Sequence, residues 1–377
     1  MAKLWANSGD SHLIEPPDLF TEKYLPKDVV EAMPRSVKDD DGEFETVFVD
    51  GQEFRRRMPR PEAMNVALTP GEKGMFERAP GANDPDLRLK DSDDEGIWAE
   101  VIYPSLGIWA FSIKTPKVAR EGVRVLNDWA LDFQHHSPRY VCAASLPLLD
   151  VDDAVAEVKR ASGLGFHAGF LPTRPPFERP PWQHEEWDPL WAAFADTGMV
   201  VAFHIGTEPH TPDVRTGVYH RGRGGAVLNY VETTYGGQRC VTQMIACGAL
   251  DRHPDLKVLV SEGGATWGPF IADRMDEGYR QHGAAVRPVL SRLPSQYLYD
   301  QVYASFQHDH SAVAANAAMG WKNILWGSDY PHYEGTFGHT QKTLHELFDD
   351  ADPAVSQRMR IGAFQELFPH VPAPPAE

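Results

Sequence analysis

Gly9-Asp10-Ser11-His12 and Ile324-Leu325-Trp326-Gly327-Ser328-Asp329-Tyr330-Pro331-His332 stand near opposite ends of the chain, and reading both as strand ends decides the fold. In an extended strand, residues two apart share a face, so Asp10 and His12 present their side chains together while Ser11 points away. The second stretch is an apolar run closed by an acid, which brings a further carboxylate from a distant strand. Donors arriving from the first and last strands imply a metal held at one end of a closed barrel.

Apolar runs rich in β-formers recur between those ends, over residues 4–12, 99–104, 140–146, 166–171, 199–205, 257–262, 301–306 and 323–328. Helical periodicity fills most of the gaps. Thr115-Pro116 reads as a cap followed by a first-turn proline, after which Ala119, Gly122, Val123, Leu126, Ala130 and Phe133 share one face. Val151, Ala154, Val155, Val158 and Ala161 make a second stripe, stopped by Gly163 and Gly165. Asp188-Pro189 opens a third helix through Leu190, Trp191, Phe194 and Ala195 to Gly198. Further helices are expected over 240–250, 269–281, 311–318, 340–348 and 354–367. This alternation specifies a parallel sheet wrapped by helices, and eight strands close it into an α/β (β/α)8 TIM barrel.

At 377 residues and 42% hydrophobic, the chain suits one elaborated barrel, so 1–377 reads as a single domain. The break in the pattern is 16–96, charged and dotted with Gly and Pro. A βα connection normally takes about 2 to 6 residues, so this stretch reads as an insertion after the first strand. A small lid or ribbon is expected around 46–54, over the open end of the barrel. Arg55-Arg56-Arg57 within it either meets an anionic substrate or forms a solvated face. Residues 372–377 read as a disordered tail. The 54 acidic against 36 basic residues give a net charge of −18, which argues against nucleic acid and anionic membrane as partners. No apolar run reaches the roughly 18 to 20 residues of a membrane span, and Met1-Ala2-Lys3-Leu4-Trp5 lacks the apolar core of a secretion signal. A soluble, cytoplasmic protein is the expectation. Cys142, Cys240 and Cys247, odd in number and without a Cys-x-x-Cys, read as free buried thiols.

In a closed parallel barrel, functional groups collect at the C-terminal ends of the strands. Asp10, His12, His204, Glu262 and Asp329 all fall there. A lone histidine at such a place is ordinarily hydrogen-bonded core, and a lone aspartate ordinarily caps the next helix. Placed jointly, Asp10 and His12 on the first strand, His204 on the fifth and Asp329 on the eighth converge across the barrel mouth. Two imidazoles with carboxylates suit Zn, Mn or Fe(II).

The motifs Gly9-Asp10-Ser11-His12, Phe203-His204 and Trp326-Gly327-Ser328-Asp329-Tyr330-Pro331-His332 resemble the amidohydrolase superfamily, in particular its amidohydrolase-related branch. That branch includes aminocarboxymuconate-semialdehyde decarboxylase and the resorcylate decarboxylases. The resemblance covers most of the chain outside 16–96, and it implies that Asp10, His12, His204 and Asp329 bind one divalent metal. Two departures stand out. Val260-Ser261-Glu262-Gly263-Gly264 places Glu262 where the decarboxylases carry a catalytic histidine on the sixth strand. Glu262 can ligate the metal, hold a substrate amine, act as a base, or simply pair with an arginine. In the last helix, a family-like Gly-Asn-Ala pattern is replaced by Gly362-Ala363-Phe364, which puts a supporting hydrogen bond in question.

Other polar groups lie near the same rim. His332 follows Asp329 by three positions, and Glu208 and His210 follow His204; each can support the ligands or serve a second ion. In His308-Asp309-His310, Asp309 can cap the next helix. Arg221 and Arg223, in a glycine-rich loop, can close over a substrate carboxylate or merely ride a mobile loop, and Trp267 can line an aromatic pocket or pack in the core. The leading expectation is a metal-dependent hydrolase of a small molecule, cutting a C–N or C–O bond next to a carbonyl through a metal-activated water. Asp329 takes the proton, and Glu262 or His332 protonates the leaving group. Zinc is the first choice of metal, with manganese or iron behind it. The alternatives are a metal-dependent non-oxidative decarboxylase of an aromatic or unsaturated acid, an iron- or manganese-dependent monooxygenase, and a non-catalytic binding barrel. Relatives and the usual symmetry of soluble oligomers suggest a homodimer.

Overall fold

The computed structural model describes residues 2–57, 79–176, 178–209, 220 and 222–375. Eight strands form one parallel sheet: β1 (Ala6–Leu13), β2 (Ile97–Pro104), β3 (Tyr140–Ser145), β4 (Ala168–Pro172), β5 (Val200–His204), β6 (Val258–Ser261), β7 (Val302–Phe306) and β8 (Ile324–Trp326). Each strand pairs with the next in chain order. Just beyond β8 the chain returns to β1: Ser11 bridges Tyr330 in parallel, Asp329 N donates to Asp10 O at 2.9 Å, and His12 N donates to Tyr330 O at 2.6 Å. The expected (β/α)8 barrel is therefore present, and every barrel strand is buried along its whole length, because helices cover one face and the barrel interior the other.

The helices follow the apolar stripes. Helix Pro116–Gln134 buries Ala119, Gly122, Val123, Leu126, Ala130 and Phe133. Thr115, expected to cap it, makes no side-chain cap bond; Asp50 instead holds the entry to the helix, accepting from Lys114 N at 2.7 Å, Thr115 N at 2.8 Å and Thr115 Oγ1 at 3.1 Å. Asp150 caps helix Val151–Leu164 itself, and Gly165, at φ 105°, ends it. The stretch expected as one helix over 354–367 is helical throughout but loosens into a wider turn at Arg358–Gly362. Among the described residues five helices went unforeseen: Lys27–Ala32, Pro85–Glu95, Gly225–Thr233, Gly283–Val286 and Pro294–Gln301. The last takes Gln301 out of the strand in which its sequence placed it. No helix among the described residues is long and apolar enough to cross a membrane.

Within the insertion, Arg35–Lys38, Phe44–Val49 and Gln52–Arg57 form a three-stranded antiparallel ribbon. Its period-two pattern buries Val47 and Val49, which with Phe54, Val29 and Met33 pack on Trp109, Val118, Ala119 and Val123 of the barrel layer. Arg55 pairs with Asp39 and Arg56 with Glu45, so these two of the three arginines serve the ribbon itself. All three cysteines are free; Cys142 and Cys240 are buried and Cys247 is half-buried.

Candidate metal centre

The barrel closure that joins β8 to β1 also builds the site. Because Asp329 N is tied to Asp10 O and His12 N to Tyr330 O, the carboxylate of the last strand arrives beside the donors of the first. Asp10 and His12 face inward, while Ser11 points away and donates to Glu100 Oε2 and Val101 O, both at 2.8 Å. His204 ends β5, 3% exposed, with Nδ1 donating to Ile205 O at 2.7 Å. Its Nε2 lies 3.1 Å from Asp10 Oδ1 and donates to that carboxylate while the ring is charged; loss of that proton frees a lone pair for an ion. His12 Nε2 lies 3.4 Å from Asp329 Oδ1 and 3.8 Å from Asp10 Oδ1.

These spacings suit an ion. Ligand atoms about 2.0 to 2.2 Å from one metal stand roughly 3 to 3.5 Å from each other. Asp10 Oδ2, both ring nitrogens of His12, and Asp329 Oδ2 are buried without any hydrogen-bond partner, an expensive arrangement unless something else satisfies them. A pair of imidazoles and a pair of carboxylates is the donor set that Zn, Mn and Fe(II) take, so the residues present fit a divalent metal.

The two imidazoles differ in charge. Burial pulls His12 down to about 4, aided by the nearby His332, so its ring is neutral and free to ligate at pH 7. Burial acts the same way on His204, but Asp10 and Glu262 outweigh it and raise that ring to about 9. Burial would raise Asp329, yet His332 and His12 hold it well below the usual carboxylate range. Against its own burial, His332 is lifted to about 10 by Asp329, whose Oδ1 lies 2.7 Å from His332 Nδ1. The His332 ring also lies 4.1 Å from that of His12. Glu262 follows β6 at φ 60°, a left-handed turn that aims it into the cavity, and burial together with the Asp329 charge pushes its carboxyl well above the ordinary value. It lies 3.6 Å from His204 Nε2.

A cavity of about 770 Å³ opens above these groups, lined among others by Asp10, Ile205, Tyr230, Glu262, Trp267 and Glu334. Trp267 therefore stands at the cavity wall, its indole N–H held by Gly264 O at 2.7 Å. Arg223 is exposed and does not line the cavity, while Arg221 and His210 lie outside the described residues. Glu208 pairs with Arg239 at 3.4 Å, and His308 and Asp309 reach the cavity rim. The support once sought in the last helix comes from the other side: Asn7 Nδ2 of β1 donates to Met359 O at 2.8 Å and Arg360 O at 2.6 Å.

Sequence reasoning missed Arg88 and Glu334. Arg88, fully buried on helix Pro85–Glu95 of the insertion, donates to His12 O at 2.8 Å and forks onto Glu100 at 2.9 and 2.7 Å. Its guanidinium lies 4.8 Å from the Tyr330 ring. An arginine between two leucines on an otherwise charged stretch, Leu87-Arg88-Leu89-Lys90-Asp91, carries no mark of such a role. Glu334, two residues past His332, offers an oxygen within 4.8 Å of those of Glu262 and Asp329.

Residues 105–364 match the family model described as Amidohydrolase. Decarboxylase yanB of Aspergillus niger is 22% identical over 284 residues, covering 72% of this chain and 74% of that protein. Amidohydrolase map2389c of Mycobacterium avium subsp. paratuberculosis superposes with a TM-score of 0.76 at 18% identity, over 97% of this chain and all of that one. A dihydroxybenzoic acid decarboxylase of Polaromonas sp. JS666, solved with bound manganese, superposes with a TM-score of 0.64 at 18% identity over 98% of each chain. With the matched region spanning most of the barrel, this chain belongs to the amidohydrolase family.

Proposed function

We propose that the chain is a metal-dependent, non-oxidative decarboxylase of a small aromatic or unsaturated carboxylic acid. The observation that carries this reading is His332, an imidazole whose Nδ1 lies 2.7 Å from Asp329 Oδ1 at the edge of the ligand set, with a quarter of its side chain accessible. Losing CO2 from an unsaturated acid requires a proton at the carbon left behind. The decarboxylases of the resemblance carry a catalytic histidine on the sixth strand, where this chain has Glu262; His332 offers an imidazole from the eighth-strand loop instead.

Asp10, His12, His204 and Asp329 would hold the divalent ion, and the manganese bound by the Polaromonas neighbour makes manganese the first ion to test. Such an ion, when bound, supplies a Lewis-acid grip on substrate oxygens and spreads the charge that develops as CO2 leaves. The chain's own groups do the rest. His332 gives up its proton to carbon, and Asp329 steadies the imidazole and stabilises its charged form. Tyr230, Trp267 and Phe306 offer faces for a planar ring, and Ile205 adds apolar surface that keeps water sparse around the departing carboxylate. The names of yanB and of the Polaromonas enzyme point to the same reaction class.

Hydrolysis of a C–N or C–O bond remains the second reading, favoured by one observation: Glu262 and Asp329 put two carboxylates side by side where a water could be deprotonated. A panel of hydroxylated benzoates, unsaturated acids, amides and lactones, incubated with manganese-loaded protein and followed by CO2 release and product mass, separates the two. Release of CO2 with the rest of the substrate intact, abolished by His332→Asn, supports decarboxylation. Cleaved amide or lactone without CO2 moves the function to the second reading.

A further inference from the structure

A second cavity, of about 350 Å³, lies between the loop that follows β4 and helix Tyr235–Ala246, and it shares no lining residue with the one above the metal centre. Arg174 and Arg179 line it from the loop and Arg239 and Gln243 from the helix, with Thr173 and Glu178 beside them. Three guanidiniums thus border one hollow in a chain whose net charge is −18. The volume falls within the roughly 300 to 1,000 Å³ of small-molecule pockets.

Much of the hydrogen-bonding capacity around this cavity is unused. A guanidinium carries five N–H donors. Arg179 meets Glu186 through Nη2, while its Nε is buried with no partner. Arg239 touches Glu208 through Nη2 alone, at 3.4 Å. The exposed Arg174 side chain makes no ion pair or hydrogen bond with any described residue. Thr173, 1% exposed, adds an Oγ1 that is buried without a partner, and such groups are costly to leave unmet. Glu186 and Glu208 offset two of the three arginine charges, and Glu178 is exposed to solvent that screens it. What remains is the unpaired Arg174 and a surplus of donors, which is the complement of an anion.

We propose that this cavity binds a small organic anion, held at its carboxylate or phosphate by Arg174, Arg179 and Arg239, with the Thr173 hydroxyl donating a further hydrogen bond. The planar fork of arginine matches the oxygen spacing of either oxyanion. Pro175, Pro176 and Pro181 give the remainder of the molecule apolar walls on a backbone whose φ angles are fixed. The site stands apart from the metal centre, so its occupancy does not depend on which reaction the barrel mouth performs.

The test is calorimetric titration of the metal-free full chain with phenyl phosphate, with benzoate and with inorganic phosphate. Wild type is expected to bind phenyl phosphate or benzoate saturably and more tightly than inorganic phosphate, and the tighter of the two identifies the oxyanion. Arg174→Gln should weaken that binding by about tenfold or more, and Thr173→Val by about two- to tenfold. Neither variant should melt below wild type, because neither polar group has a protein partner to lose. Arg274→Gln, an exposed arginine that lines neither cavity, should bind as wild type does. Failure of all three probes to bind saturably below about 10 mM overturns the site. Binding at wild-type strength by both Arg174→Gln and Thr173→Val also overturns it, since the anion then sits elsewhere, the barrel mouth included. Inorganic phosphate bound as tightly as either ring-bearing probe refutes an organic ligand.

Discussion

Replacing Arg88 with methionine tests whether the insertion braces the metal site. The substitution removes the fork onto Glu100 and the bond to His12 O, and leaves Glu100, 3% exposed, with only the hydroxyls of Ser11 and Ser92. Breaking a buried ion pair on one side costs about 3 to 5 kcal/mol, because the remaining charge stays desolvated. With about 2.1 cal/mol/K of unfolding entropy per residue, a chain of 377 residues loses on the order of 1.3 °C per kcal/mol, so the melting temperature should fall by roughly 4 to 6 °C. The penalty should depend on pH. In wild type, burial works to raise Glu100 but Arg88 more than offsets it and holds the carboxyl below its ordinary value. That depressed group contributes stability which is present above the unfolded carboxylate range and lost as pH falls through the folded value. In the variant burial is opposed only by the Ser11 hydroxyl and the charge of Arg139, so Glu100 shifts upward and takes a proton as pH falls. The difference between the two proteins should therefore be largest at pH 7 to 8 and shrink towards pH 5. Thermal melts of metal-free protein at several pH values measure this, and the double variant Arg88→Met, Glu100→Met should recover part of the loss. An unchanged melting temperature, or a penalty equal at pH 5 and pH 8, would refute the assignment of Arg88 as the counter-charge.

Three further outcomes are expected. Asp10→Ala or His204→Ala should strip the bound metal, read by metal analysis of protein purified without chelator; retention of a full equivalent would count against the ligand set. Metal affinity should rise with pH by up to about tenfold per unit as far as pH 9, because the His204 ring, lifted to about 9 in the metal-free state, must lose its proton to ligate; titrations at pH 6, 7 and 8 check this, and a flat profile would contradict it. Asn7→Ala should lower stability by about 1 to 3 kcal/mol, since it leaves the buried Met359 and Arg360 carbonyls without their shared donor, and denaturant melts showing no loss would reassign the support of the last helix.

Much of the barrel was legible because its signals are local. The apolar runs at 140–146 and 199–205 are buried along their length in β3 and β5, and the stripe from Ala119 to Phe133 is the face that helix Pro116–Gln134 lays on the core. Gln301 was misplaced because a short apolar stretch does not say where a helix hands over to a strand. Thr115 has the chemistry of a cap, but its hydroxyl donates instead to Asp50, a carboxylate more than sixty residues away in the chain.

The placement of Asp10 and His12 on one face, with Ser11 turned outward, followed from the two-residue period of a strand and needed nothing else. The likeness of the strand-end motifs to the amidohydrolases could likewise be read along the chain. Which carboxylates gather around Asp329 could not. Glu262 and Glu334 are separated by most of two βα units, and their approach depends on the left-handed turn at Glu262 and on the seam that ties Asp329 to Asp10. The same is true of Arg88, whose partners lie on β1 and β2. Pattern and propensity act over a few residues, whereas the charge balance of a buried site is a property of everything folded around it.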